Sequence, residues 1–316
     1  MPERHAFVIR TAAALGLLVA VAFTVDFSAT LAQLASAAWP PLALAVLLVQ
    51  AQIVLSAVRW RFTARRLGSP LPAGSAIAEY YLASLLNLLL PGGMTGDAVR
   101  ALRTGRNGGP GGRGTDLGGA AAAVILERLA GQVAFFFVAA CGIAFWPQLL
   151  GGDPPGGTLA LLLVLPTVLL TLAIAVWIGR RTAPPKLAAW FAGLRPAMVR
   201  AWFADFAWLF QGVVSIAVAL LYVAAFALCS AAIGAPLDLP AAAALIPLVL
   251  LTMLVPVSIG GFGLREGAAA ALWPLAGYAA SDGLAAALLY GLVSIAGALP
   301  GALVLFSGGA QRSSRA

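Results

Sequence analysis

Val255-Pro256-Val257-Ser258-Ile259-Gly260-Gly261-Phe262-Gly263-Leu264-Arg265-Glu266-Gly267 interrupts an apolar run with proline and glycine, then places an arginine beside a glutamate. A stretch of the same kind lies in the first half: Leu88-Leu89-Leu90-Pro91-Gly92-Gly93-Met94-Thr95-Gly96-Asp97-Ala98-Val99-Arg100. Both breaks sit among segments long and apolar enough to cross a bilayer. Non-helical backbone at membrane depth is tolerated only where protein buries it or water reaches it. Paired breaks in corresponding halves are the pattern of a transporter's substrate site.

Composition sets the class around these breaks. Hydrophobic residues make up 62% of the chain and charged residues 9%, too little charge to cover a soluble domain of 316 residues. Apolar runs at 8–25, 41–58, 76–91, 118–147, 158–178, 208–233, 241–257, 264–277 and 283–306 approach the roughly 20 residues of a membrane-crossing helix. They predict an all-α integral membrane protein forming one polytopic domain over 1–316. Its halves are about 1–150 and 151–306, and 307–316 form a tail.

Charge placement predicts the topology. The basic residues cluster as Arg4 and Arg10; Arg59, Arg61, Arg65 and Arg66; Arg100, Arg103, Arg106 and Arg113; Arg180, Arg181, Lys186, Arg195 and Arg200; and Arg312 and Arg315. Cytoplasmic loops are enriched in Lys and Arg, so all five clusters are expected inside, with both termini. The remaining connections carry Asp26, Asp153, Asp238 and Asp282 with no Lys or Arg, and are expected outside. Segment 76–93 then has basic clusters on both sides and must enter and return from the cytoplasm. Segment 241–277 lies between Asp238 and Asp282 and must enter and return from outside. The expected fold is about six full transmembrane helices plus two re-entrant broken-helix hairpins of opposite orientation, an inverted repeat.

Several features are set aside. Arg4 and Arg10 precede an apolar run, and Ala35-Ser36-Ala37 resembles a signal-peptidase site, but the polar gap favours a retained first span. Cys141 and Cys229 fall inside expected spans and read as packing residues, and the only histidine is His5, so neither metal nor other cofactor is expected. Residues 105–119 contain eight glycines but lack the spacing and strand–helix frame of a phosphate-binding loop, and read as a flexible cytoplasmic connection. Residues 186–207 interleave aromatic and basic residues, either as an amphipathic helix on anionic headgroups or as the start of the next span.

The chemistry is expected where charge meets broken backbone. Glu127-Arg128 lies inside an apolar run and Arg265-Glu266 at the second break. Four unpaired charges at the bilayer centre would cost roughly 10 kcal/mol on insertion scales, so they pair, line a wet cavity, or both. Glu127 with Arg265 and Arg128 with Glu266 would brace the two halves. Glycines at 92, 93, 260, 261 and 263 let backbone approach a ligand, and a helix starting after them offers N–H groups to phosphate. Asn87, Thr95 and Ser258 add neutral hydrogen bonds, and Arg100 and Arg265 add forked positive charge.

Three motifs together resemble a known family. The run from Asn87 to Arg100, Glu127-Arg128-Leu129-Ala130-Gly131, and the run from Val255 to Gly267 look like the lysylphosphatidylglycerol synthase transmembrane-region family. That family includes the flippase portion of the bacterial multiple peptide resistance factor. The Ser-Ile-Gly-Gly-Phe-Gly-x-Arg-Glu-Gly stretch is the most specific of the three. The resemblance implies lipid translocation across the bacterial cytoplasmic membrane and marks Asp97, Arg100, Glu127, Arg128, Arg265 and Glu266 for test. Bifunctional members carry a soluble aminoacyl-transferase domain. This chain ends ten residues after Phe306, so "synthase" is not carried over and no enzymatic activity is expected. The net charge of +8 follows from the inside bias and does not point to nucleic acid. Membrane lipids with an anionic or phosphate-bearing headgroup are the expected partners, and a homo-oligomer is compatible with this reading. The alternative is a non-transporting scaffold for a lipid-modifying or glycosyl-transferring partner, in which the charges only brace.

Overall fold

The computed structural model describes residues 26–90, 94–107, 117–147, 167, 171, 174, 176–179, 181–254 and 260–305. Among these residues the regular structure is helical. The first helix, α1 (Phe27–Ala35), is capped by Asp26, whose carboxylate accepts from the Ala29 amide at 3.0 Å. Next, α2 (Trp39–Arg66) carries proline in its first turn, where no helical N–H is lost. At 28 residues it is about 42 Å long, enough to cross the hydrocarbon core with turns to spare.

Of the six expected full spans, four have counterparts: α2, α5 (Leu117–Ala144), α7 (Ala207–Ala232) and α10 (Ala280–Ala298), whose helix continues to Leu305. The expected span 8–25 lies outside the described residues, as does most of 158–178 and of the glycine-rich connection 105–119.

Helices α2 and α7 run antiparallel along their length. The Ala38 amide donates to the Ala232 carbonyl at 2.8 Å near one end, and Gln211 donates to Thr63 at 2.8 Å near the other. Small buried residues such as Ala45, Ala57, Ala64, Ala219 and Ala225 fill this region. In lipid there is little hydrophobic drive between helices, so close packing of small residues carries association. Larger rings then lock the centre: Phe226 stacks on Tyr290 at 4.9 Å and tilts against Trp273 at 5.5 Å. Both cysteines are free, with Cys229 buried within this packing.

The two ends of the bundle differ in charge. At one end Asp238 caps α8 (Leu239–Leu251), accepting from Ala241 at 2.9 Å, and Asp282 accepts from Ala279 at 2.8 Å and from Gln33. Tyr278 donates to the Pro236 carbonyl there at 2.5 Å. At the opposite end Arg66 donates to the Arg200 and Ala204 carbonyls at 2.6 and 2.7 Å. Trp190 donates to Gly118 at 2.9 Å there.

The segment before α7 is a separate helix, α6 (Pro185–Met198), followed by a π turn at Val199–Phe203 and a 3-10 turn. Asp205 (φ 50°) and Phe206 (φ 57°) adopt left-handed backbone and set α6 apart from α7. The kink divides 186–207 from the span that follows without assigning it to a membrane surface.

Each broken stretch forms a helical pair. In the first, α3 (Ala73–Leu89) folds back onto α4 (Thr95–Asn107). Gly96 lies directly on the Ala83 carbonyl, where a Cβ has no room, and its amide donates to Asn87 at 2.8 Å. Arg103 pairs with Glu79 at 2.8 Å further from the tip. In the second, α8 descends from Asp238, and α9 (Leu264–Leu272) returns toward Asp282. The tips touch: a Cβ on Gly260 (φ 57°) would sit 2.7 Å from the Leu88 carbonyl oxygen. Only glycine meets both the backbone angle and the close approach.

Candidate functional site

The first hairpin builds a charged nest with α2 and α5. Glu127, near the middle of α5, is fully buried. It accepts from Arg59 Nη2 at 2.5 Å and Nε at 3.2 Å, from the Tyr80 hydroxyl at 3.1 Å, and from Arg100 Nη2 at 3.1 Å. Arg59 Nη1 donates onward to Ser215 of α7 at 2.9 Å. Gly131 makes room for this guanidinium, since a Cβ there would lie 2.8 Å from Arg59 Nη2.

Asp97 forms the second acceptor of the nest. It sits in the first turn of α4, where the helix N-terminus favours negative charge. It accepts from Arg100 Nη2 at 2.9 Å, Arg128 Nη2 at 3.0 Å and Asn87 Nδ2 at 3.2 Å, and lies 2.8 Å from Arg128 Nε. Arg100 is sandwiched between the Trp60 and Tyr80 rings, 4.4 Å from each centroid. Such stacking stabilises a desolvated guanidinium by about 2 kcal/mol. The Arg128 side chain is 30% exposed and Asn87 is half-buried, whereas Arg59, Asp97, Arg100 and Glu127 are buried.

The second hairpin builds a smaller nest. Arg265 and Glu266, both fully buried, pair with each other through Nε at 3.0 Å and Nη2 at 2.5 Å. The other Glu266 oxygen accepts from the Gly263 amide at 2.5 Å, which ties the start of α9. Phe262 and Tyr290 flank Arg265 at 4.8 and 5.4 Å. Tyr222 of α7 meets Phe135 of α5 edge-on, with ring centroids 6.1 Å apart.

Of the residues expected from the sequence, Asn87, Asp97, Arg100, Glu127 and Arg128 come together in the first nest. Gly260, Gly261, Gly263, Arg265 and Glu266 come together at the second, and Thr95 opens α4 beside the first tip. Gly92, Gly93 and Ser258 lie outside the described residues. The expected brace between halves, Glu127 with Arg265 and Arg128 with Glu266, is corrected: Glu127 takes Arg59 and Arg100, Arg128 takes Asp97, and Arg265 takes its neighbour. The reason is proximity, because α2 and α4 bring two arginines to Glu127 within its own half.

Charge placement puts Arg59 and Arg100 in cytoplasmic clusters, and only Arg100 is also expected in the site; both are buried in the nest. Sequence reasoning also missed Trp60, Tyr80, Ser215 and Tyr290. A signal for Arg59 existed. Gln52, Ser56, Arg59 and Thr63 recur every three or four residues along an apolar helix, and all four are buried on one stripe. Among the described residues no group of three or more His, Cys, Asp or Glu could hold a metal ion.

Helices of membrane-crossing length packed around fully buried ion pairs define a multi-pass helical membrane protein. The chain belongs to the lysylphosphatidylglycerol synthase TM region family, whose profile matches residues 7–301. No curated protein and no solved structure matches the chain.

Proposed function

We propose that this protein moves a lipid with a phosphate-bearing headgroup across the bacterial cytoplasmic membrane. The observation that carries the reading is the tip-to-tip meeting of two opposed helical hairpins at Gly260 and Leu88, with a buried charged nest at each. In this reading the hairpins are re-entrant elements of an inverted repeat, flanked by six full spans, with both termini cytoplasmic. Broken helices meeting between two membrane faces are where alternating access operates in transporters. The headgroup passes by the first nest, while the acyl chains stay in lipid. Transport runs down a lipid gradient or on ion coupling, and no reaction is assigned.

Translocation of fluorescent lipids by the purified protein in liposomes, compared across headgroups, tests the reading. Headgroup-dependent movement above that of empty liposomes is expected; none would leave the protein without this activity. Orientation is tested separately by single cysteines. Positions 65 and 195 should label from the cytoplasmic face and positions 26 and 238 from outside.

The neutral Arg265–Glu266 pair favours a second reading, a non-transporting scaffold braced by its charges. In that case Arg265→Gln should lower stability and partner assembly together, with no lipid movement to lose.

A further inference from the structure

The first nest is not electrically balanced. Three guanidinium groups, Arg59, Arg100 and Arg128, face two carboxylates, Asp97 and Glu127, leaving one positive charge in excess among the described residues. The second nest, one arginine with one glutamate, is neutral. Arg100 is 1% exposed, and its Nε and Nη1 have no hydrogen-bond partner among the described residues. A buried unpaired charge and unsatisfied charged donors are both costly, so such a group is expected to have a counter-ion.

We infer that the first nest is a binding site for one phosphodiester monoanion of a lipid headgroup, held by Arg100 and Arg128. The inference rests on the transport reading for the lipid source and goes beyond it by fixing the nest and the ligand's charge. A single negative charge balances the single excess. A zwitterionic headgroup brings its own cation to a site already rich in arginine, and a phosphate monoester dianion reverses the imbalance. Arg128, the partly exposed cation of the nest, is the point of access. The planar guanidinium forks match phosphate oxygens in bidentate geometry. The Trp60 and Tyr80 faces occupy both sides of Arg100 and leave its edge as the donor surface.

The test measures binding apart from transport. Thermal unfolding of the full-length protein in neutral detergent is followed with dihexanoyl phosphatidylglycerol, dihexanoyl phosphatidylcholine, sodium phosphate and sodium chloride at matched ionic strength. The glycerol lipid should raise the midpoint saturably, and the choline lipid should not. Arg128→Gln balances the nest's charge but removes its two contacts with Asp97, so its lipid shift is read against its own lipid-free midpoint; it should bind the glycerol lipid at least about tenfold more weakly, the loss of one charge-assisted contact. Arg61→Gln, which removes a surface charge outside the nest, should bind as the unmodified protein does. Asp97→Asn raises the excess to two and should shift preference toward dihexanoyl phosphatidic acid. That variant carries the test if Arg128→Gln fails to fold. Equal stabilisation by both lipids, or unchanged binding by Arg128→Gln, overturns the site. Equal stabilisation by free phosphate keeps the anion site and overturns the lipid source. Binding without lipid movement in liposomes sinks the transport reading and leaves the site standing; movement with unchanged Arg128→Gln binding does the reverse.

Discussion

The two hairpins solve the same problem in different ways. The second neutralises its arginine with the next residue and then spends the other carboxylate oxygen on its own helix start at Gly263. Nothing outside the hairpin is needed to balance its charge. The first draws on α2, α3, α4 and α5, with Ser215 of α7 behind them, and still holds one more arginine than carboxylates; Arg100 lacks partners at two nitrogens, Arg265 at Nη1 alone. A local pair holds a backbone break in shape. A distributed, unbalanced network ties several helices together and keeps a charge available. The difference assigns bracing to the second nest and ligand chemistry to the first.

Glu127 is where this contrast predicts the largest effect. It holds two arginines and a tyrosine at no exposure. Glu127→Gln leaves three buried guanidinium groups facing one carboxylate. Removing one member of a buried ion pair costs about 3–5 kcal/mol, so thermal unfolding in detergent should show a large loss of stability. A double-mutant cycle sharpens the point. Glu127→Gln with Arg59→Gln should couple by about 1–3 kcal/mol, whereas Glu127→Gln with Arg265→Gln should add within about 0.5 kcal/mol. Coupling between Glu127 and Arg265 would restore the brace between halves and break the separation of the nests.

Arg265→Gln comes next, at about 3 kcal/mol, the low end for a broken buried pair, because Glu266 keeps the bond from Gly263. Stability and transport should fall together. A stable Arg265→Gln protein that had lost only headgroup-dependent translocation would move the binding role back to the second hairpin.

Gly260→Ala tests the contact between the hairpins. The substitution puts a methyl 2.7 Å from the Leu88 carbonyl oxygen at a φ of 57°. Strain of this kind costs about 1–3 kcal/mol, and the loss should appear in both the unfolding midpoint and the translocation rate. A midpoint unchanged within error would show that the tips separate at no cost.

Much of this was legible in the chain. The two breaks, the long apolar helices around them and the charged residues at the breaks follow from proline, glycine and the apolar runs. Those signals are local and act on the backbone or on insertion. The pairings were not legible, because they depend on which helix faces which. Counting Arg59 with Arg61, Arg65 and Arg66 as one loop cluster ignored its place on the Gln52–Thr63 stripe, one and a half turns or more inside the helix end. Tyr80 and Trp60 looked like ordinary membrane aromatics, and only the fold puts their faces on either side of Arg100. The touch between Gly260 and Leu88 joins residues far apart in sequence and leaves no periodic trace.

The smallest effect expected is at an ion pair of the same length. Arg66 lies 2.9 Å from Asp205, as Arg100 does from Asp97, but the Asp205 side chain is 85% exposed and that of Asp97 is 5% exposed. Water screens the first pair and already solvates both partners, so their attraction adds little. Asparagine also tolerates the left-handed backbone that Asp205 adopts, and Arg66 keeps its bonds to the Arg200 and Ala204 carbonyls. Asp205→Asn should therefore change unfolding stability by no more than about 0.5 kcal/mol. The corresponding Asp97→Asn change, inside the nest, should be several times larger in the absence of lipid, because it leaves two excess positive charges instead of one. Similar shifts for the two variants would mean that water reaches Asp97 as freely as it reaches Asp205, and the first nest would then have no reason to seek an anion.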